Sequence, residues 1–131
     1  MLTDKPQHTI LIVDDESITR DILEGYLARE RYNLIFAKDG FQALRRFERH
    51  RPDLVILDVM MPHMDGFEVC RNIKSDKRWR HVPIILITAF WDQQQMDRGI
   101  QAGAESFLPK PIDSDELRSQ VRLLLQPLDT E

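Results

Sequence analysis

Five short apolar runs, each followed by a longer amphipathic segment, organise this chain of 131 residues. The runs are apolar on both faces, which is typical of central strands in a parallel sheet that has helices on each side. Repetition of this unit predicts an α/β fold, an open, doubly wound, five-stranded parallel sheet with right-handed crossovers. The predicted strands are residues 9–13, 33–37, 54–57, 83–87 and 105–108.

The segments between the runs have the apolar spacing and the capping residues of helices. Residues 17–29 place apolar side chains on one face, and Asp39 and Asp113 are suited to cap the second and the last helix. Gly66 opens the third helix, whereas the fourth, around residues 93–102, has only a thin apolar stripe. The sequence therefore predicts one helix after each strand.

The composition fits a single domain, expected at residues 9–126 with tails at 1–8 and 127–131. There are 18 Lys and Arg against 22 Asp and Glu, so the formal net charge of -4 gives no support to a nucleic-acid-binding surface. Cys70 is the single cysteine, and no apolar run approaches the ~18 residues of a membrane span. We therefore expect a cytoplasmic domain that binds neither nucleic acid nor membranes, and whose last residues are a tail or the start of a linker.

Acidic and polar side chains follow four of the five predicted strands. Asp14 and Asp15 follow the first, Asp58 closes the third, Thr88 follows the fourth, and Lys110 lies two residues beyond the fifth. Because sheets of this kind bind ligands at the carboxyl ends of their strands, these side chains should converge. Three neighbouring carboxylates need a countercharge, and an all-oxygen set favours Mg²⁺. A carboxylate beside a metal, a lysine and a hydroxyl can accept a phosphoryl group.

The motifs at these strand ends resemble the signature of response-regulator receiver domains. They occur in the order and strand contexts of that family, and the resemblance covers residues 9–126. It implies a flavodoxin-like (β/α)5 fold with strand order 2-1-3-4-5. The matching motifs are IVDDE at residues 12–16, LDVMMP at 57–62 followed by Asp65 and Gly66, Thr88 with Ala89, and Lys110 with Pro111.

The resemblance implies a metal site built around the phosphoacceptor. Asp58 would accept the phosphoryl group. Asp15 and Asp58 would bind Mg²⁺ directly, Asp14 would bind it mainly through water, and Met60 would bind it through the backbone carbonyl, with Mn²⁺ as a substitute metal. The backbone amide of Met60 would also contact the phosphoryl group.

The remaining matched residues imply a phosphate clamp and a conformational switch. Thr88 and Lys110 would contact the phosphoryl oxygens, helped by the backbone amide of Ala89. The peptide bond between Lys110 and Pro111 would be cis, which the chemistry of proline permits. Phe107 would turn inward when Thr88 moves toward the phosphate.

As a whole, the resemblance implies a switch in two-component signalling or a phosphorelay. A histidine kinase or phosphotransfer protein would phosphorylate the domain, and a downstream effector or a linked output domain would respond. The surface of the fourth helix, fifth strand and last helix would change, and a homodimer on phosphorylation is allowed. The domain would not be a turnover enzyme, but it would catalyse its own phosphorylation and a slow dephosphorylation. Slowness is expected because Met60 and Phe90, which flank the site, cannot orient water by strong hydrogen bonds.

Other interpretations of the same residues stay open. Asp14 and Asp15 could cap the helix that follows them, Phe107 could be a core aromatic, and Trp91 could pack or anchor an interface. The main alternative function is a pseudo-receiver that docks or dimerises without phosphotransfer. A phosphohydrolase ranks below it, because the acid follows the third strand and position 60 is Met. A flavodoxin ranks lower still, since no phosphate-binding loop follows the first strand.

Overall fold

The computed structural model describes residues 8–126, so all of the predicted tails except His8 lie outside the described residues. Within this range no helix has the length and apolar character needed to cross a membrane. A 3₁₀ turn at Ala28–Glu30 follows the first helix. The strands are β1 (Thr9–Val13), β2 (Asn33–Ala37), β3 (Leu54–Asp58), β4 (Ile84–Thr88) and β5 (Ser106–Pro109), and the helices are α1 (Ser17–Leu27), α2 (Gly40–His50), α3 (Gly66–Lys74), α4 (Gln93–Ala102) and α5 (Ser114–Leu125).

The five strands form one parallel sheet in the order β2-β1-β3-β4-β5. The predicted fold class and strand order are therefore confirmed. The register sets Val13 of β1 opposite Leu57 of β3, and Asp58 opposite Ile87 of β4. Since the winding reverses between β1 and β3, the carboxyl ends of these two strands border the crevice where such sheets bind ligands.

Alternate residues of the central strands face two separate apolar cores, as the two-residue period of a strand requires. Ile10 and Ile12 of β1 pack with α1 and α5, whereas Leu11 and Val13 pack with α2, α3 and α4. The helix α4 closes its side of the sheet mainly through Ala102, which agrees with its thin apolar stripe. The strands β3 and β4 are buried along their whole length, because helices cover both of their faces.

Aspartate side chains start four of the five helices. Asp39 accepts a hydrogen bond from the amide of Gln42, and Asp113 accepts one from the amide of Glu116, so both predicted caps are present. Asp65 and Asp92 cap α3 and α4 in the same way. Each helix thus begins at the edge of the sheet where the strands end, and brings its first turn beside the crevice.

Candidate functional site

Three carboxylates meet at the carboxyl ends of β1 and β3. One carboxylate oxygen from each of Asp14, Asp15 and Asp58 lies within 4.8 Å of the other two. Asp14 and Asp58 are buried, with 0% and 2% of their surfaces exposed, whereas Asp15 is exposed to solvent. The arrangement follows from the register, because Asp14 and Asp58 continue the paired residues Val13 and Leu57.

Lys110 brings a positive charge to this cluster from the loop after β5. Its Nζ lies 3.0 Å from Oδ2 of Asp14 and 3.4 Å from Oδ1 of Asp58. Its backbone amide donates to the carbonyl oxygen of Thr88 at 2.9 Å, and its peptide bond to Pro111 is cis. The lysine thus contacts two carboxylates and lies closer to the more deeply buried one.

The charges of the site do not balance. Burial and the negative charge of Asp14 raise the pKa of Asp58 to about 6, and the Lys110 ammonium and the Met60 amide offset only part of this. Burial lowers the pKa of Lys110, but the hydrogen bond to Asp14 and the charges of Asp58 and Asp14 outweigh it, so the net shift is upward. One ammonium group faces three carboxylates, and the cluster therefore favours an additional cation.

The donor set fits a hard divalent metal ion. Within residues 8–126 the three aspartates are the one group of His, Cys, Asp and Glu side chains close enough to hold a metal. Oxygen ligands without thiolate or imidazole suit Mg²⁺ and Mn²⁺. Helix capping does not account for the cluster, because Glu16 occupies the cap position of α1, and the amide of Glu16 donates to Oδ1 of Asp14 at 2.9 Å.

The loop after β3 folds back tightly over Asp58. The amide of Met60 donates to Oδ1 of Asp58 at 3.3 Å, and the amide of Gly66 donates to the carbonyl oxygen of Val59 at 2.9 Å. A Cβ atom at Gly66 would lie 2.4 Å from the carbonyl oxygen of Asp58 and 2.8 Å from Cα of Val59. Because backbone atoms cannot move aside cheaply, only glycine fits here, a reason that the motif alone does not reveal.

Thr88 ends β4 beside the acid cluster. It is 1% exposed, and its Oγ1 accepts a hydrogen bond from the amide of Phe90 at 3.3 Å. Ala89 and Phe90 follow at the surface. The register places Thr88 next to Pro109 of β5, so the residue lies between Asp58 and the loop that carries Lys110.

Phe107 is half-buried and packed between two residues of the α4 region. Its ring meets the ring of Trp91 edge-on at 5.3 Å between centroids. The indole Nε1 of Trp91 donates to the carbonyl oxygen of Leu108 at 3.1 Å. On the other side, a Cβ atom at Gly99 would lie 2.4 Å from Cε1 of Phe107, so the ring rests against the α4 backbone. Trp91 therefore packs within the domain.

Comparison with known proteins agrees with this geometry. The family model described as the response regulator receiver domain matches residues 10–122. The chain is 46% identical over 115 residues to the response regulator PleD of Caulobacter vibrioides. The matched segment covers 88% of this chain and 25% of PleD. It is 41% identical over 117 residues to the response regulator MprA of a Mycobacterium species, which covers 89% of this chain and 50% of MprA. The chain thus spans between a quarter and half of these curated relatives.

Solved structures give the same result. The chemotaxis protein CheY4 of Vibrio cholerae superposes with a TM-score of 0.85 at 29% identity, covering 90% of this chain and 98% of CheY4. The receiver domain of NtrX from Brucella abortus superposes with a TM-score of 0.81 at 30% identity, covering 88% of this chain and 97% of that domain. The likeness extends over the whole sheet and its helices.

Proposed function

Since this chain belongs to the response regulator receiver domains, we propose that it is a magnesium-dependent switch that carries a phosphoryl group on Asp58. The observation that supports this most strongly is the cluster of three carboxylates around one lysine at the ends of β1 and β3. Asp58 is the acid that ends the central strand β3 and accepts an amide hydrogen bond from the loop above it. It thus faces the crevice from the middle of the sheet.

In this proposal, Asp15 and Asp58 would hold Mg²⁺ or Mn²⁺ directly, Asp14 would hold it mainly through water, and Met60 would contribute its carbonyl oxygen. When bound, the ion neutralises negative charge on the acids and on the transferring phosphoryl group. The raised pKa of Asp58 supports a cation here, because burial and the charge of Asp14 disfavour the ionised carboxylate more than Lys110 stabilises it. Asp58 must be ionised to attack phosphorus, and a cation bound beside it would favour that form.

The transfer step forms one bond and breaks one. A carboxylate oxygen of Asp58 bonds to phosphorus, while the bond from phosphorus to the donor atom breaks and its electron pair leaves with the donor. Lys110 stabilises charge on the phosphoryl oxygens, and Thr88 donates a hydrogen bond to them, helped by the amides of Met60 and Ala89. Lys110 is near enough to change partners, because it already lies 3.4 Å from Asp58.

The proposed output is a repacking around Thr88 and Phe107. The new phosphoryl oxygens draw Thr88 and Lys110 toward Asp58, and Phe107 responds to the shift of Thr88. The packing of Phe107 against Trp91 and Gly99 links this movement to the surface formed by α4, β5 and α5. Phosphorylation then shifts the equilibrium between two conformations. Because the two conformations bind the partner with different affinities, the observed affinity changes.

The surface around the acids supports a protein as the phosphoryl donor. Four exposed apolar side chains lie at this edge of the sheet, each within the first turn of a helix or two residues beyond a strand. We call them the apolar rim: Ile18, Phe41, Met60 and Phe90, which are 72%, 53%, 55% and 67% exposed. We propose that a histidine kinase or phosphotransfer protein is the phosphoryl donor, in a cytoplasmic setting. An effector protein or a linked output domain then responds to the phosphorylated form.

Phosphorylation by acetyl phosphate tests the proposed function. With Mg²⁺ present, the protein should gain one phosphoryl group per chain, labile to base, and mass spectrometry of peptides should assign it to Asp58. Without a divalent ion, incorporation should be lost. A protein that stays unmodified, and whose Trp fluorescence ignores Mg²⁺, would instead support the pseudo-receiver that only docks or dimerises.

Mg²⁺ is expected to raise the melting temperature, because it binds the folded acid cluster and not the unfolded chain. At ten times the dissociation constant, the stabilisation is about 1.4 kcal/mol, or a few degrees for a domain of this size. Asp15→Asn should remove most of this shift as measured by thermal unfolding. Asp21→Asn, which changes an exposed acid of α1 outside the cluster, should keep it. Equal shifts in the two variants would contradict the proposed ligand set.

Polar substitutions in the apolar rim are expected to shorten the lifetime of the phosphorylated form. Neither Met60 nor Phe90 can orient an attacking water by a strong hydrogen bond, so self-dephosphorylation should be slow in the wild type. Met60→Asn and Phe90→Glu should accelerate phosphate release, roughly tenfold if the new group positions water. Leu123→Glu is the control, since it adds a charge to an exposed position on α5. The idea fails if neither rim variant releases phosphate faster than the control does.

A further inference from the structure

Charge is strongly segregated in this molecule. The segments that form and follow α2 and α3, residues 40–53 and 66–82, contain nine Lys and Arg against four Asp and Glu, a formal charge of +5. Because the whole chain carries -4, the rest of it carries -9. The net charge, from which the sequence predicts no nucleic-acid-binding surface, therefore conceals one cationic layer of the fold.

The arginines of α2 lack ion-pair partners within the described part of the chain, whereas Arg78 in the loop after α3 pairs with Asp76 at 2.7 Å. Arg45, Arg46 and Arg49 on α2 make no salt bridge in residues 8–126, and neither does Arg51 at its end. Three arginines elsewhere do: Arg98 pairs with Asp65, Arg118 with Asp115 and Arg122 with Glu30. Nε of Arg46 is also buried without a hydrogen-bond partner, the single such side-chain atom found in residues 8–126. The α2 cations thus have unused donors.

These cations line a continuous surface. A groove of about 690 Å³ runs along α2, bordered by three arginines, one histidine, one glutamine and one acid: Arg45, Arg46, Arg49, His50, Gln42 and Glu48. A second cavity of about 370 Å³ joins Arg51 to Arg78 and His81 of the loop between α3 and β4. On α2, Arg45 and Arg49 form one row at four-residue spacing, about 6 Å or one helical turn apart, and Arg46 and His50 form a second row. We call this surface the basic face: Arg45, Arg46, Arg49, His50, Arg51, Arg78 and His81.

We propose that the basic face binds the phosphodiester backbone of double-stranded nucleic acid. Arginines that repeat along one helix without ion-pair partners call for a ligand with repeated anions, and guanidinium groups pair with phosphate oxygens bidentately. A bilayer would favour several apolar side chains among the cations, but among the exposed large apolar residues in the described part of the chain Phe41 alone lies on α2. An acidic peptide carries fewer charges per unit length and must also be ordered on binding. The end of α2 and the loop after α3 lie opposite the acid cluster, so both sites can be used at once.

Anisotropy of a fluorescein-labelled, mixed-sequence 30-base-pair DNA duplex tests the inference with the full chain. We expect a dissociation constant on the order of 10⁻⁵ M at 50 mM salt, and a log–log salt slope of about -3 from three or four phosphate contacts. Arg45→Gln combined with Arg49→Gln should weaken binding about tenfold or more and reduce the slope by about 2. These side chains have no ion pairs to lose, so thermal unfolding should be unchanged.

The control is Arg29→Gln combined with Arg122→Gln, which removes two charges away from the basic face. It should keep the affinity within about twofold and the slope unchanged, because oriented cations and not net charge decide the binding. The inference is overturned if the duplex does not bind, or if both double variants lose affinity equally. It is also overturned if polyglutamate or phosphatidylserine vesicles bind the basic face in place of the duplex.

Discussion

Replacing Asp58 with asparagine is expected to leave a folded protein that takes up no phosphate. The amide keeps the shape of the carboxylate and can still accept the hydrogen bond from Met60, but it has no anionic oxygen to attack phosphorus. Incubation with acetyl phosphate and Mg²⁺ followed by intact-mass measurement should show phosphorylation of the wild type and none of Asp58→Asn. Asp21→Asn, the same change at an exposed position, should be phosphorylated like the wild type.

The same substitution is expected to stabilise the metal-free protein. The pKa of Asp58 is about 6 in the folded state against an ordinary value of 3.8, so the folded protein holds this proton more tightly than the unfolded chain does. Well below pH 3.8 the acid is protonated in both states and has no effect. As the pH rises from 4 to 6 the unfolded chain releases the proton first, and the folded state loses stability. At pH 7.5 Asp58→Asn should be more stable by on the order of 2 kcal/mol.

Urea unfolding in a chelator at several pH values measures this difference. The gap between Asp58→Asn and the wild type should open between pH 4 and 6 and stay constant above 7. If the two proteins have the same free energy of unfolding at pH 7.5, the surroundings of Asp58 do not disfavour its ionised form. In the phosphorylation experiment, a phosphate found on a Ser, Thr or His of either protein would contradict the assignment of Asp58 as the acceptor.

The acid cluster could be predicted because the sequence shows where each central strand ends. Each central strand is apolar throughout and stops at a polar residue, as Val13 does before Asp14 and Leu57 before Asp58. Parallel pairing then brings the ends together. The order of the strands came from the resemblance to receiver domains, since apolar runs of similar length do not distinguish one neighbour from another.

The pairing of Lys110 with Asp58 could be predicted, but the preference of Lys110 for Asp14 could not. Its long side chain can reach either buried acid, and the contact with Asp14 at 3.0 Å is shorter than the one with Asp58 at 3.4 Å. Asp14, with no exposed surface, depends most on a nearby positive charge. This choice depends on relative burial in the folded state, which residue spacing does not encode.

The surroundings of Phe107 and the extent of the basic face could not be predicted from the sequence for the same reason. Phe107 is shaped by Gly99 and Trp91, which approach it only when α4 packs against β5. The basic face joins Arg51 to Arg78 across the ends of two helices. Both features arise when the helices pack on the sheet and bring together residues that are distant in the sequence. Overall composition and local sequence patterns do not show such contacts.

Gly66→Ala is expected to be among the most damaging single-methyl changes in this domain. The added Cβ would lie 2.4 Å from the carbonyl oxygen of Asp58 and 2.8 Å from Cα of Val59. Relief requires the start of α3 to move away from the end of β3, which breaks the hydrogen bond that the amide of Gly66 donates to the carbonyl oxygen of Val59 and shifts the loop with Met60. The cost should be on the order of 3 kcal/mol, a fall of roughly 10 °C in melting temperature.

Gly25→Ala supplies the matched control, because the same methyl group then has the opposite effect. Gly25 lies inside α1 with no atom within 4 Å of a Cβ, so alanine should stabilise the helix by about 0.5–1 kcal/mol. Phosphorylation by acetyl phosphate should be unchanged in Gly25→Ala and much slower in Gly66→Ala, whose loop amide no longer faces the acceptor. If Gly66→Ala unfolds within 1 kcal/mol of the wild type, then the β3–α3 loop is compliant, and close backbone contact does not hold Met60 over Asp58.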